Sequence, residues 1–180
     1  IKVRADGTVK VLDFGLAKAM EPAAGSSPSA SDSRSIGFFA DGKLKRIDIA
    51  GGTVQTLLSA PAGRGGTWSR EGVILFTDSI TGPILRVSAA GGQAGAATRL
   101  QTPQQTSHRF PKFLPDGRHF LFYAQGSLEG RGVYTGSLDS PEDTQRLLDA
   151  DTAAEYVPPG YLLFLRQGTL FAQKFDPVRL

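Results

Sequence analysis

Leu44-Lys45-Arg46-Ile47-Asp48-Ile49-Ala50-Gly51-Gly52 returns 40 residues later as Ile84-Leu85-Arg86-Val87-Ser88-Ala89-Ala90-Gly91-Gly92. The arginine, the β-branched residue after it and the Ala-Gly-Gly ending coincide. A self-match at a fixed period of this size marks stacked units, each too small to bury its own apolar face. A second punctuation has a similar period. Trp68-Ser69-Arg70-Glu71-Gly72, Phe113-Leu114-Pro115-Asp116-Gly117 and Tyr156-Val157-Pro158-Pro159-Gly160 each place an aromatic four residues before a glycine. These glycines are 45 and 43 residues apart, and Ser31-Asp32-Ser33-Arg34 occupies the equivalent place 39 residues before Gly72.

After each turn comes a short apolar run that does not alternate: Ile36-Gly37-Phe38-Phe39, Val73-Ile74-Leu75-Phe76, Phe120-Leu121-Phe122-Tyr123 and Tyr161-Leu162-Leu163-Phe164-Leu165. Runs this short between turn residues read as strands, and a strand apolar at successive positions needs both faces covered. Each unit continues through a turn (Asp41-Gly42, Thr81-Gly82-Pro83, Gln167-Gly168) into a second strand. In the first three units a last strand ends in Thr56-Leu57-Leu58, Arg99-Leu100 or Arg146-Leu147-Leu148. Four short strands per unit, with sheets stacked face to face, describe a propeller blade. The expected fold is therefore all-β: a partial β-propeller of three to four antiparallel four-stranded blades over 34–180. The first unit lacks its inner strand, and the fourth stops before its last one.

The aromatic-x-Pro-Asp-Gly-Arg turn, the strand after it and the Ala-Gly-Gly turn resemble the blades of TolB-like, WD-repeat-related β-propellers. The resemblance covers about 34–180. Members of this family usually close rings of more blades, so the resemblance implies that this chain is part of a propeller.

Composition narrows the class. The chain has 180 residues, 40% hydrophobic and 21% charged, with a net charge of +3 and no cysteine. That is too apolar and too weakly charged for a wholly disordered chain. Disulfide scaffolds and cysteine-ligated zinc are excluded, and no apolar run approaches the ~20 residues of a membrane span. The basic residues are scattered, which does not favour nucleic acid.

Residues 1–20 read differently. Ile1-Lys2-Val3-Arg4 and Thr8-Val9-Lys10-Val11-Leu12 flank Asp6-Gly7, a pair suited to the left-handed positions of a hairpin turn. The stretch 21–33 has no large apolar side chain to offset ordering entropy and reads as a flexible linker. Val9-Lys10-Val11-Leu12-Asp13-Phe14-Gly15-Leu16-Ala17-Lys18 resembles the magnesium-binding segment of bacterial serine/threonine protein kinases. The resemblance implies that Asp13 would hold the magnesium of Mg-ATP in a complete kinase domain. The Gly-rich loop, the paired lysine and glutamate, the His-Arg-Asp loop and the Ala-Pro-Glu segment of that family have no match in this sequence. No catalytic residue and no cofactor are therefore expected for this chain. Some bacterial kinases resemble the combination, with a kinase domain, a membrane span and a TolB-like propeller sensor; a truncated or internally deleted derivative of such a protein is the expectation.

Three further stretches approach known motifs. Gly37 to Leu44 nearly spells a phosphate-binding loop but ends in leucine and leads into a strand, so it reads as a hairpin turn. His108-Arg109-Phe110 lacks the aspartate of a kinase catalytic loop, and Gly126-Ser127-Leu128-Glu129-Gly130 has no helix to make a nucleophile elbow. His108 is expected to satisfy a backbone group near an inner strand, and His119 to open the strand Phe120–Tyr123. Trp68, Phe113 and Tyr156 are expected in the packing between blades. The loop Ala124–Gly132, with Glu129 and Arg131, is read as the largest insertion between strands.

The functional expectation is a non-catalytic binding or sensor module that contacts a protein or a small ligand at the propeller face. The alternative is a share in an active kinase whose other parts lie outside the chain. Self-association through open blade faces is expected. Without a span or signal peptide in the sequence as it stands, the expected compartment is the cytoplasm, although the resembling kinases place their propeller outside it.

Overall fold

The computed structural model describes residues 35–180 together with Lys2–Val3 (β1) and Val9–Lys10 (β2). β1 and β2 pair antiparallel, Lys2 opposite Lys10 and Val3 opposite Val9, in keeping with the hairpin reading. They form a sheet of their own, which no other strand joins among the described residues. The linker 21–33 and the Asp13-Phe14-Gly15 segment lie outside the described residues.

Every other strand belongs to one of four antiparallel meanders, and the described residues contain no helix. Blade one holds β3 (Ser35–Ala40), β4 (Lys43–Asp48) and β5 (Gln55–Ser59). Blade two holds β6 (Gly66–Trp68), β7 (Val73–Phe76), β8 (Leu85–Ser88) and β9 (Gly95–Ala96). Blade three holds β10 (Gln105–Phe113), β11 (His119–Gly126), β12 (Gly132–Ser137) and β13 (Thr144–Leu148). Blade four holds β14 (Glu155–Val157), β15 (Tyr161–Arg166) and β16 (Thr169–Lys174). Among the described residues the first blade thus has no inner strand and the fourth no outer one, as the repeat predicts.

The turns show why these residues make hairpins. Asp41 and Gly42 have φ of 53° and 67°, and Gln167 and Gly168 have 50° and 73°. Both central residues are left-handed, the turn whose twist matches that of paired strands. The hairpin at Asp41-Gly42 also disposes of the phosphate-loop reading, since Ala40 pairs with Lys43 across it.

Alternate side chains of each middle strand go to opposite neighbours. Ile74 and Phe76 of β7 pack with Leu44 and Ala60 of blade one and with Val87. Leu75, between them, packs with Phe120, Phe122 and Tyr134 of blade three. In β11, Phe120 and Phe122 face blade two while Leu121 joins Val133, Leu162 and Phe164 against blade four. Non-alternating apolar runs follow from this arrangement, because both faces of the strand are covered. The three aromatics before the turns occupy equivalent register positions: Trp68 opposite Ile74, Phe113 opposite Phe120, Tyr156 opposite Leu162. All three pack against the clusters between blades.

Three expectations require correction. In β15 the burial alternates: Leu162 and Phe164 are buried, whereas Tyr161 and Leu165 are exposed because no blade lies beyond them among the described residues. The outer strand of blade two ends at Ala96, short of Arg99-Leu100; Ala97 and Thr98 instead turn in to hydrogen-bond the Ile84 carbonyl. The segment Ala124–Gly132 is not the largest insertion, since β11 runs on to Gly126 and only 127–131 connect the strands. The connections 77–84 and 97–104 are longer.

Candidate functional site

His108, Arg109 and Phe110 are consecutive on β10, the inner strand of blade three, and each does something different. The pairing of β10 with β11 shifts once between Gln105 and Ser107, keeps step from Ser107 opposite Gln125 through Arg109 opposite Tyr123, and shifts again before Lys112 opposite Leu121. Phe110 sits in this bulge with φ of 55°, a region that a phenylalanine rarely enters. The following Pro111 disfavours the right-handed helical conformation for Phe110. Its N–H is taken by the Arg64 carbonyl at 3.1 Å. The ring is left 40% exposed.

Arg64 lies in the connection from blade one to blade two, and its own N–H donates to Thr77 Oγ1 at 2.8 Å. Gly65 beside it has φ of 88°, and a Cβ there would stand 3.2 Å from Phe110 Cα, so only glycine lets the two backbones approach. The Arg109 side chain is held at two points: Nε donates to Ser107 Oγ at 2.8 Å and Nη2 to the Ile80 carbonyl at 3.1 Å. Burial, and then the charge of Arg64, lower the Arg109 pKa from its usual value. Among the described residues neither Arg64 nor Arg109 has a carboxylate within ion-pair distance.

His108 points the other way, into the seam between blades two and three, and is fully buried. Its Nε2 lies 2.9 Å from Gln105 Oε1 and its Nδ1 2.8 Å from Thr98 Oγ1. An amide oxygen only accepts, so Nε2 carries the proton and Nδ1 accepts from the threonine hydroxyl. Thr98 Oγ1 also accepts the Ile84 N–H at 2.9 Å, which completes its bonding. Burial lowers the His108 pKa to about 4, so the ring is neutral near pH 7. The sequence expectation of a backbone partner is thus corrected: two side chains, one from the blade-two side and one from β10, satisfy it.

The neighbouring seam toward blade four balances its charges. Arg131 Nη2 lies 3.5 Å from Asp151 Oδ1, and the Asp151 carboxylate also accepts the Gln167 N–H at 2.6 Å. Burial raises the Tyr123 pKa there, against the lowering effect of Arg131. The short 127–131 connection folds back on blade three, with the Tyr134 hydroxyl donating to the Gly130 carbonyl at 2.9 Å.

The remaining candidates fall elsewhere. His119 opens β11 as expected and its Nδ1 sits 2.6 Å from Asp116 Oδ2, far from His108. Burial alone would raise the Asp116 pKa, but hydrogen bonds from Arg118 and His119 outweigh it and hold the carboxyl low. Among the described residues no three His, Cys, Asp or Glu side chains cluster to hold a metal ion, and no helix is long and apolar enough to cross a membrane. Arg64, Thr98 and Gln105 went unnoticed in the sequence. The one signal for Arg64 was its setting, Gly63-Arg64-Gly65-Gly66, a cation in an unusually pliant connection.

Stacked antiparallel meanders with their loops gathered at the ends of the strands are matched among solved structures. This chain is similar to TolB from Acinetobacter baumannii, with 22% identity and a TM-score of 0.55. The fold is that of a TolB-like β-propeller. The similarity covers 75% of this chain and 35% of that one, so the chain spans about a third of the TolB structure. No protein-family model matches the chain, and no curated protein matches it.

Proposed function

We propose that this chain is a non-catalytic binding or sensor module, derived from a bacterial serine/threonine kinase, that contacts a protein or a small ligand at the loop-bearing end of the propeller. The observation that carries the reading is the rim formed by Arg64, Arg109 and Phe110. A strained, exposed aromatic stands here with two cations that have no carboxylate partner among the described residues. Strain of this kind concentrates at binding sites, where loops on a rigid scaffold present the contacts. The kinase parentage is supported by the resemblance of Val9–Lys18, and Asp13 would be its magnesium holder. The reading treats Asp13 as a remnant, because the other kinase segments have no match in this sequence.

A fragment screen by NMR on the whole chain tests the binding reading. Backbone shifts are expected to gather on Arg64, Gly65 and Arg109–Phe110 whichever fragment binds. Shifts scattered over the blades, with the rim silent, would overturn it. Incubation with ATP, magnesium and a general protein substrate addresses the alternative: phosphorylation that Asp13→Ala abolishes would favour the kinase reading.

A further inference from the structure

We infer that the rim takes the carboxylate of a ligand whose adjoining body is apolar or aromatic. The inference rests on the binding reading above and deepens it by naming the ligand class. A guanidinium has five N–H donors in a planar fork. Arg109 spends two of them, on Ser107 Oγ and on the Ile80 carbonyl. These contacts fix the plane of the fork and leave both Nη1 hydrogens and one on Nη2. The free end is the paired-donor edge that binds a carboxylate through two parallel bonds.

Arg64 adds a second positive charge beside the first. Its backbone is anchored nearby, since its carbonyl receives the Phe110 N–H at 3.1 Å, one residue from Arg109. Arg64 is exposed and Arg109 half-buried, and the charge of the first disfavours that of the second; a bound anion offsets that repulsion. A dianion would suit the charge alone. The surroundings favour a monoanion with an apolar body, because the flanking side chains are the exposed Phe110 ring and Ile80, which is 54% exposed. Phe110 offers a ring face for stacking, and the Ile80 carbonyl that positions Arg109 belongs to the same residue that lends the apolar side chain.

The contrast with the blade-three to blade-four seam supports the choice. There Arg131 stands beside Asp151 and the site is neutralised from within. At the rim the cations have no such internal partner among the described residues, and the bulge turns an aromatic ring outward beside them.

The test titrates the whole chain with four probes, followed by NMR shifts and calorimetry. They are N-acetylphenylalanine, its neutral amide, a short peptide ending in a free phenylalanine carboxylate, and inorganic phosphate. The free carboxylate is expected to bind at the rim at least about tenfold more tightly than the amide, with phosphate weaker. Arg109→Gln should reduce that affinity about tenfold while the unfolding midpoint shows that the fold survives. If the peptide outbinds N-acetylphenylalanine, the source of the carboxylate is a chain terminus; equal affinities point to free acids. Amide and acid binding alike at the rim would overturn the ligand class and leave the binding reading standing. Phosphate binding most tightly would likewise overturn the class. Carboxylate binding that leaves the rim unshifted, or that Arg109→Gln leaves intact, would overturn both. No binding of any probe at millimolar concentration would overturn the inference.

Discussion

Blades two and three bury their middle strands on both faces, whereas among the described residues blade four is covered on one side only. Val73–Phe76 and Phe120–Tyr123 are flanked by neighbours, and Leu75, Phe76 and Phe120 have no exposed surface. Tyr161–Leu165 is as apolar as either, yet Leu165 is 41% exposed and Leu170 on the adjacent strand 65%. Apolar content alone therefore does not report burial at the end of a repeat array. Each side chain contributes stability according to whether the next unit is present to cover it.

The largest effect expected is in the doubly covered blades. Phe122→Ala removes a buried ring that stacks on Tyr134 at 5.5 Å and tilts against His108 at 4.6 Å. It should cost about 3–5 kcal/mol, as large-to-small changes of buried aromatics do. Leu165→Ala, on the open face of blade four, should cost under about 1 kcal/mol. Urea unfolding of both variants decides it; equal losses would mean that the outer face of blade four is covered in solution.

The next effect belongs to the histidine buried in the doubly covered seam. An unfolded imidazole takes its proton near pH 6.5, and burial lowers the value for His108 to about 4 in the folded chain. Between those values the unfolded state holds more protons, so stability rises with pH. His108 therefore contributes full stability above about pH 6.5 and loses about 3 kcal/mol of it as the pH falls to 4. Protonation would also place a hydrogen on Nδ1, where the Thr98 hydroxyl now donates. Stability measured from pH 7 to 4 should show this slope, and His108→Gln should flatten it. A slope that survives His108→Gln would assign the pH dependence to other groups.

A smaller contrast lies between the two left-handed turns. Asp41 in blade one is a residue that tolerates positive φ, while Gln167 in blade four is not. Gln167→Asn should stabilise by roughly 0.5–1 kcal/mol by relieving that strain without touching the bond from its N–H to Asp151. Asp41→Asn should change the midpoint little. Thermal unfolding of the two variants side by side measures the difference, and a destabilised Gln167→Asn would show that the glutamine side chain has a contact of its own.

What could be read beforehand was what repeats. The Arg-x-x-x-Ala-Gly-Gly units, the aromatic before each turn and the hairpins at Asp41-Gly42 and Gln167-Gly168 all follow from local chemistry repeated at a period. The rim was not legible for the opposite reason. Arg64 and Phe110 meet through one backbone hydrogen bond across 46 positions, and the bulge that turns Phe110 outward is a register shift without a period. His108 met the same difficulty, because its partners Thr98 and Gln105 come from a connection and a strand start whose approach depends on how blades two and three stack. Arg99-Leu100 matches the strand endings of its neighbours, but the Ile84 carbonyl draws the chain inward two residues earlier.

The smallest change in stability is expected where the binding consequence is greatest. Phe110→Gly relieves a left-handed φ that costs a non-glycine residue about 1–2 kcal/mol. It also removes a half-covered ring, whose lost burial costs a comparable amount. The two terms oppose and nearly cancel, so the unfolding midpoint should move little. In the core, loss of a phenylalanine has no such offset, as Phe122→Ala should show. A residue retained in strain without net benefit to stability is best explained by what it contacts outside the fold. Carboxylate probes should therefore lose affinity for Phe110→Gly even though the protein unfolds near the parent midpoint. A marked drop in the midpoint would instead make Phe110 a packing residue, and the rim would lose its aromatic wall.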